Sequence, residues 1–99
     1  MIVKQRVRAM TFNVIRSYIR DNYNVGDIIK FNDIKYHFYK NDFDISDSII
    51  RYTLDKLVLM KYLVQDVDSN NVFVLEQNLP INYSTFIFEL KHFEYDERD

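Results

Sequence analysis

Gly26 is the only glycine in this chain and Pro80 the only proline. Glycine alone takes positive φ without steric strain, so Gly26 is the one position free to make a left-handed turn. It stands in "NYNVGD", a stretch that ends whatever regular structure precedes it. A glycine-rich phosphate loop is excluded by the same count.

On either side of that turn the apolar spacing is helical. Val7, Met10, Val14 and Tyr18 fall on one stripe and Phe12, Ile15 and Ile19 widen it, which predicts a first helix from Arg6 to about Tyr23. Its apolar arc is broader than one core requires. Either a partner covers the excess or later segments of the same chain do. After Gly26, "IIKF" is a minimal strand. Asn32 or Asp33 is placed to cap a short helix running to about Lys40, with Ile34 and Phe38 inward, and "KNDFD" breaks it.

"ISDSIIRYTLDKLVLMKYL", Ile45 to Leu63, reads as the third helix. Ser46 is the expected N-cap, and Asp47 sits in the first turn, where the helix dipole favours an acid. Ile50, Leu54, Leu57 and Val58 recur toward a core, while Asp47, Ser48, Arg51, Tyr52, Asp55 and Lys56 lie more outward. "YLVQDV" and "NVFVLE" then flank "DSNN", whose asparagines suit a tight hairpin. Beyond Pro80, Ser84 is placed to cap a last helix over about 83–95 with Tyr83, Phe86, Ile87, Leu90 and Phe93 as its stripe, although "TFIF" is equally rich in strand formers.

The 99 residues suit one domain, spanning 1–99, and eight Phe and eight Tyr give it ample apolar surface to bury. No cysteine is present, which removes disulfides and thiolate metal sites and makes an intracellular, cytoplasmic location the expectation. "MIVKQRVRAM" lacks the apolar run of a signal peptide, and no stretch approaches the roughly 18 apolar residues of a membrane span. Charge is distributed unevenly. Residues 1–20 carry Lys4, Arg6, Arg8, Arg16 and Arg20 with no acid, whereas eight acids follow Lys61 against Lys91 and Arg98. Such a dipole marks either a nucleic-acid face or a head-to-tail contact between subunits.

No catalytic constellation stands out. His37 and His92 have no metal-ligand spacing. "DFDISD" places Asp42, Asp44 and Ser46 like the first half of a calcium loop, but the turn glycine is missing and Thr53 stands where the bidentate glutamate belongs. The expectation is a non-enzyme without cofactor.

The order of helix, short strand, helix, turn, helix, hairpin and final helix resembles the winged helix-turn-helix family. "IIKFNDIKYHFY", "ISDSIIRYTLDKLVLMKYL" and "VQDVDSNNVFVL" carry the likeness, over roughly residues 6 to 76. The fold class implied is α+β, mainly α, with a two-stranded hairpin wing and an extra C-terminal helix. The function implied is sequence-specific binding of double-stranded DNA by a homodimeric transcriptional regulator. Ser48, Arg51 and Tyr52 would read bases from the third helix, and Lys30, Lys35, Lys56 and the basic first helix with Arg8 would hold phosphates. Phe12, Ile15 and Ile19 with Phe86, Leu90 and Phe93 would make the dimer contact.

Two departures qualify that likeness. The family often places glycine where Lys61 stands, and Lys in a left-handed turn costs about 1 kcal/mol. The hairpin offers Asp66, Asp68 and Glu76 and no cation, which a phosphate backbone would repel. A winged-helix module that binds protein and not DNA is the alternative. In that case Arg51 would be bridged by Asp47 and Asp55, four residues to either side, as an ordinary solvated face. The abundance of Ile, Asn, Lys, Tyr and Phe also resembles small proteins encoded by viruses and plasmids of thermophilic archaea.

Overall fold

The computed structural model describes the backbone of residues 2–81 and the side chains of residues 9–81. The expected helix over 83–95, with Phe86, Leu90 and Phe93, and the side chain of Arg8 lie outside the described residues. The elements are α1 (Ile2–Asn22), β1 (Ile28–Lys30), α2 (Phe31–Lys40), α3 (Asp47–Leu59), β2 (Leu63–Gln65) and β3 (Val72–Leu75). Among the described residues the architecture is therefore α+β and mainly α: three helices and a three-stranded antiparallel sheet in the order β1-β3-β2.

The helix ends explain how a chain with one glycine turns so often. After α3, the Lys61 N–H donates to the Val58 carbonyl at 3.0 Å and the Tyr62 N–H to the Leu57 carbonyl at 3.0 Å. Those two bonds make a Schellman motif around Met60, and they place Lys61 in the left-handed region at φ +72°. After α2 the pattern repeats. Asp42 N–H donates to the Tyr39 carbonyl and Phe43 N–H to that of Phe38, with Asp42 at φ +62°. Each motif is closed by an apolar contact across it. Phe43 packs edge-on against Phe38 with ring centroids 5.9 Å apart, and Tyr62 and Leu57 are both buried. Aromatic burial on the far side thus holds two left-handed turns that lack glycine. Helix α3 consequently stops at Leu59, four residues before the end of the apolar run.

The start of α3 is as expected, with the Ser46 side chain accepting from the Ile49 N–H. The start of α2 is not. Lys30 occupies the N-cap position without a side-chain bond, and Asn32 and Asp33 lie inside the first turn. The strand runs directly into the helix because the Phe31 N–H donates to the Asn71 carbonyl at 2.9 Å, extending the β1–β3 pairing by one residue. That pairing also enlarges the expected two-stranded hairpin, since β1 joins β3 along Ile28↔Val74, Ile29↔Phe73 and Lys30↔Val72.

One face of the sheet, with Ile29, Phe73, Leu63 and Leu75, closes on the three helices. Phe12, Ile15 and Ile19 of α1, Ile34 and Phe38 of α2, and Ile50, Leu54 and Leu57 of α3 complete a single core. Phe12, Ile15 and Ile19 were expected at a dimer contact, yet all three are buried within this one chain. A second copy finds none of them at the surface. Of the other stripe, Val14 and Tyr18 pack partly buried against the core, while Met10 is exposed.

Candidate nucleic-acid interface

Helix α3 turns Ile50, Leu54 and Leu57 inward, which leaves Asp47, Ser48, Arg51 and Asp55 along its outer ridge. Between this ridge, the first turns of α2 and the hairpin tip lies an open recess of about 380 Å³, lined by Phe31, Asn32, Lys35, Asp47, Ser48, Arg51 and Asn71. A second recess, of about 330 Å³, lies on the other side of Arg51 with Asp55, Gln65, Asn70 and Asn71. Arg51 separates the two.

Its guanidinium reaches the hairpin. Nη1 donates to the Asn70 carbonyl at 2.5 Å and Nη2 to Asn71 Oδ1 at 2.6 Å. The same group lies over the Phe31 ring, 4.7 Å from its centroid, and 5.8 Å from that of Phe73. Neither Asp47 nor Asp55 bridges it among the described residues. The charge of Arg51 is thus spent on the tip of the β2–β3 connection, which it ties to α3. Gln65 Nε2 adds a bond to Asn70 Oδ1 at 3.0 Å, and the Asn71 N–H donates to Ser69 Oγ.

The other expected contacts divide. Lys35 is on the recess, but its Nζ lies 3.2 Å from Asp47 in an ion pair between two exposed side chains. Such a pair is worth little to stability, yet it halves the positive charge the recess offers. Ser48 is exposed there, with its Oγ 3.1 Å from Ser46 Oγ. Tyr52 and Lys56 are elsewhere. They face α1, with Tyr52 edge-on to Phe12 at 6.1 Å and Lys56 Nζ 5.3 Å above the Tyr52 ring. Lys56 is 6% exposed, which takes its charge off the surface a phosphate would meet, and Tyr52 is half-buried. Lys30 projects from the sheet face opposite the core, beside Ile28.

The described arginines of α1 are also committed. Arg16 Nη1 donates to the carbonyls of Pro80 and Ile81, each at 3.0 Å, and Nη2 to Asn13 Oδ1. Arg20 Nη1 donates to the Leu79 carbonyl at 2.6 Å. One helix therefore grips three successive carbonyls of the segment that follows the sheet. Leu79 is buried beneath them.

A second cluster lies between α1 and α2. His37 stacks on Tyr18 with centroids 4.2 Å apart, and the hydroxyls of Tyr18 and Tyr23 are 3.4 Å apart. Burial, reinforced by the charge of Lys40, holds the His37 pKa below its usual 6.5. Burial and the Tyr18 hydrogen bond push the Tyr23 phenol well above its ordinary range. Among the described residues no group of three or more His, Asp or Glu is placed to hold a metal ion. No helix among them is long and apolar enough to cross a membrane.

The residues that sequence reasoning missed are Phe31, Asn70 and Asn71. "DSNN" was legible as a turn, but nothing local marks it as the partner of an arginine 19 residues earlier. Comparison with protein-family models, with curated proteins and with solved structures finds no match to this chain.

Proposed function

We infer that this chain is a small double-stranded DNA-binding protein of winged helix-turn-helix type, a binding protein and not an enzyme. The observation that carries the reading is the placement of α3. Its Ser48–Arg51 ridge lies beside a hairpin whose tip it fastens, and the described elements follow the order of helix, short strand, helix, helix and hairpin that the family resemblance implies. In such a docking the N-terminal half of α3 enters the major groove. Ser48 and Arg51 then face base edges, and Lys35 lies beside a phosphate.

A second reading, a protein-interaction module, is favoured by one specific observation. The two recesses together carry Lys35 and Arg51 against Asp47 and Asp55, and both cations already have partners within the chain. Titration of the chain by fluorescence anisotropy against random-sequence duplex and against its own upstream DNA, at several salt concentrations, separates the readings. Each neutralised phosphate contributes about 0.9 to the slope of log K against log salt. Two face cations imply a slope of about −2, with tighter binding to the preferred sequence. Absence of binding at low salt would leave the protein-interaction reading.

A further inference from the structure

The face of the sheet turned away from the core carries two ordered rows. The register places Ile28, Val74 and Val64 side by side across all three strands. Ile28 is 58% exposed and Val64 48%, so this row is an open apolar stripe. Two residues further along come Lys30, Val72 and Asp66, the last held in register by its N–H bond to the Val72 carbonyl at 2.9 Å. Lys30 and Asp66 therefore stand at opposite edges of the sheet, about 10 Å apart by the usual strand spacing. Neither is in an ion pair among the described residues.

We propose that this face pairs with the same face of a second copy of the chain, about a two-fold axis parallel to β3. That operator lays β1 over the partner's β2 and β3 over the partner's β3. Ile28 then meets Val64 twice and Val74 meets its own copy. Lys30 comes opposite Asp66 twice. The arrangement is isologous, as a two-fold contact requires, and it needs only the aligned face-to-face packing common between sheets, about 10 Å apart. Charge complementarity selects both occupant and axis. A two-fold perpendicular to the strands lays β1 on β1 and brings no Lys30 opposite an Asp66. The stripe is far smaller than the roughly 800 Å² per partner of a stable interface, so the pair is weak and forms only at high concentration. One row beyond Val74, the chosen axis brings the two exposed Glu76 carboxylates toward each other, a built-in repulsion.

This inference does not rest on DNA binding, and its test reads association alone. Sedimentation velocity on the full chain, from about 10 μM to 1 mM, should show concentration-dependent dimerisation. Lys30→Asp and Asp66→Lys should each weaken association about tenfold, because each opposes like charges twice. The doubly substituted chain should recover it. An equimolar mixture of the two single variants should also associate, since their heterodimer restores both contacts. Glu76→Gln should tighten the pair. Circular dichroism confirms that each variant is folded. A chain that stays monomeric at 1 mM overturns the proposal. So does association unaffected by the single swaps or not recovered by mixing, and so does capture of a different partner by this face in place of a second copy.

Discussion

Truncating Arg51 to alanine tests whether α3 holds the hairpin. The side chain makes two short hydrogen bonds, to the Asn70 carbonyl and to Asn71 Oδ1, and lies 4.7 Å over the Phe31 ring. A hydrogen bond contributes about 0.5 to 1.5 kcal/mol net, and partial exposure places these two in the lower half of that range. The cation over Phe31 adds about 0.5 to 1 kcal/mol. Asn70 and Asn71 are exposed, so water replaces the lost donor and no buried group is orphaned. The sum is about 1.5 to 3 kcal/mol. For a domain of this size, at about 4 to 8 °C per kcal/mol, that lowers Tm by roughly 6 to 24 °C. Urea denaturation followed by circular dichroism measures it, with an unchanged m-value as the check on two-state behaviour. Amide exchange localises the effect. Protection of the Asp66 N–H, bonded to Val72 at the hairpin mouth, should fall, while that of the Tyr62 N–H, bonded to Leu57, should not. Arg51→Lys keeps the charge but cannot span two acceptors as a planar fork does, so it should recover less than half of the loss. A loss below about 0.5 kcal/mol for Arg51→Ala, or full recovery by lysine, would falsify the fastening role.

Further outcomes are expected at the helix ends, in the core and at His37. Lys61→Gly should raise the urea midpoint, because relief of left-handed strain at φ +72°, about 1 to 2 kcal/mol, exceeds the entropy glycine adds to the unfolded chain; Asp42→Gly should gain less, since aspartate tolerates that conformation better. Leu57→Ala, at a fully buried position where core and helix end meet, should lose about 2 to 5 kcal/mol in the same assay. Because burial lowers the folded pKa of His37 below 6.5, the unfolded chain takes up that proton first. Stability should therefore fall as pH drops from about 6.5 toward the folded pKa, and His37→Gln should flatten that part of the urea-midpoint profile.

What could be read from the sequence was periodicity, and what could not was pairing at a distance. Ile34, Phe38, Ile50, Leu54 and Leu57 point inward as their spacing requires. The spacing carries α3 past its true end because "LVLMKYLV" is apolar but for Lys61, and no pattern within it separates helix from strand. The stop comes from Tyr62 folding back onto Leu57, a contact that the missing glycine at Lys61 concealed. The start of α2 departs from the expected cap at Asn32 or Asp33 for the converse reason. Asn32 and Asp33 have the chemistry of caps, but pairing with Asn71 carries the extended backbone up to Phe31 and leaves no room for one.

The same distinction governs the site. Spacing put Arg51, Tyr52 and Lys56 on one outward surface of α3, but the packing of α1 against that helix divides them. Arg51 falls on the hairpin side, while Tyr52 packs edge-on against Phe12 and the Lys56 ammonium lies over the Tyr52 ring. Arginine reaches several ångströms from its backbone with five donors and no acceptor, so in a compact domain it finds exposed loop carbonyls wherever the chain passes. Arg16 and Arg20 find those of residues 79–81, and Arg51 finds that of Asn70. A basic sequence segment therefore overstates the cation available to a ligand. For DNA to engage Arg51 as a base reader, its guanidinium must leave Asn70 and Asn71, and the hairpin tip loosens as it does so. Recognition by this face and release of the hairpin are then one event. If Arg51 stays in place, Ser48 and Lys35 remain as the contacts, and sequence preference narrows accordingly. Comparing Arg51→Ala on preferred and random duplex distinguishes the two. Loss confined to one base pair marks a reader, and equal loss on both marks a residue that only positions the hairpin.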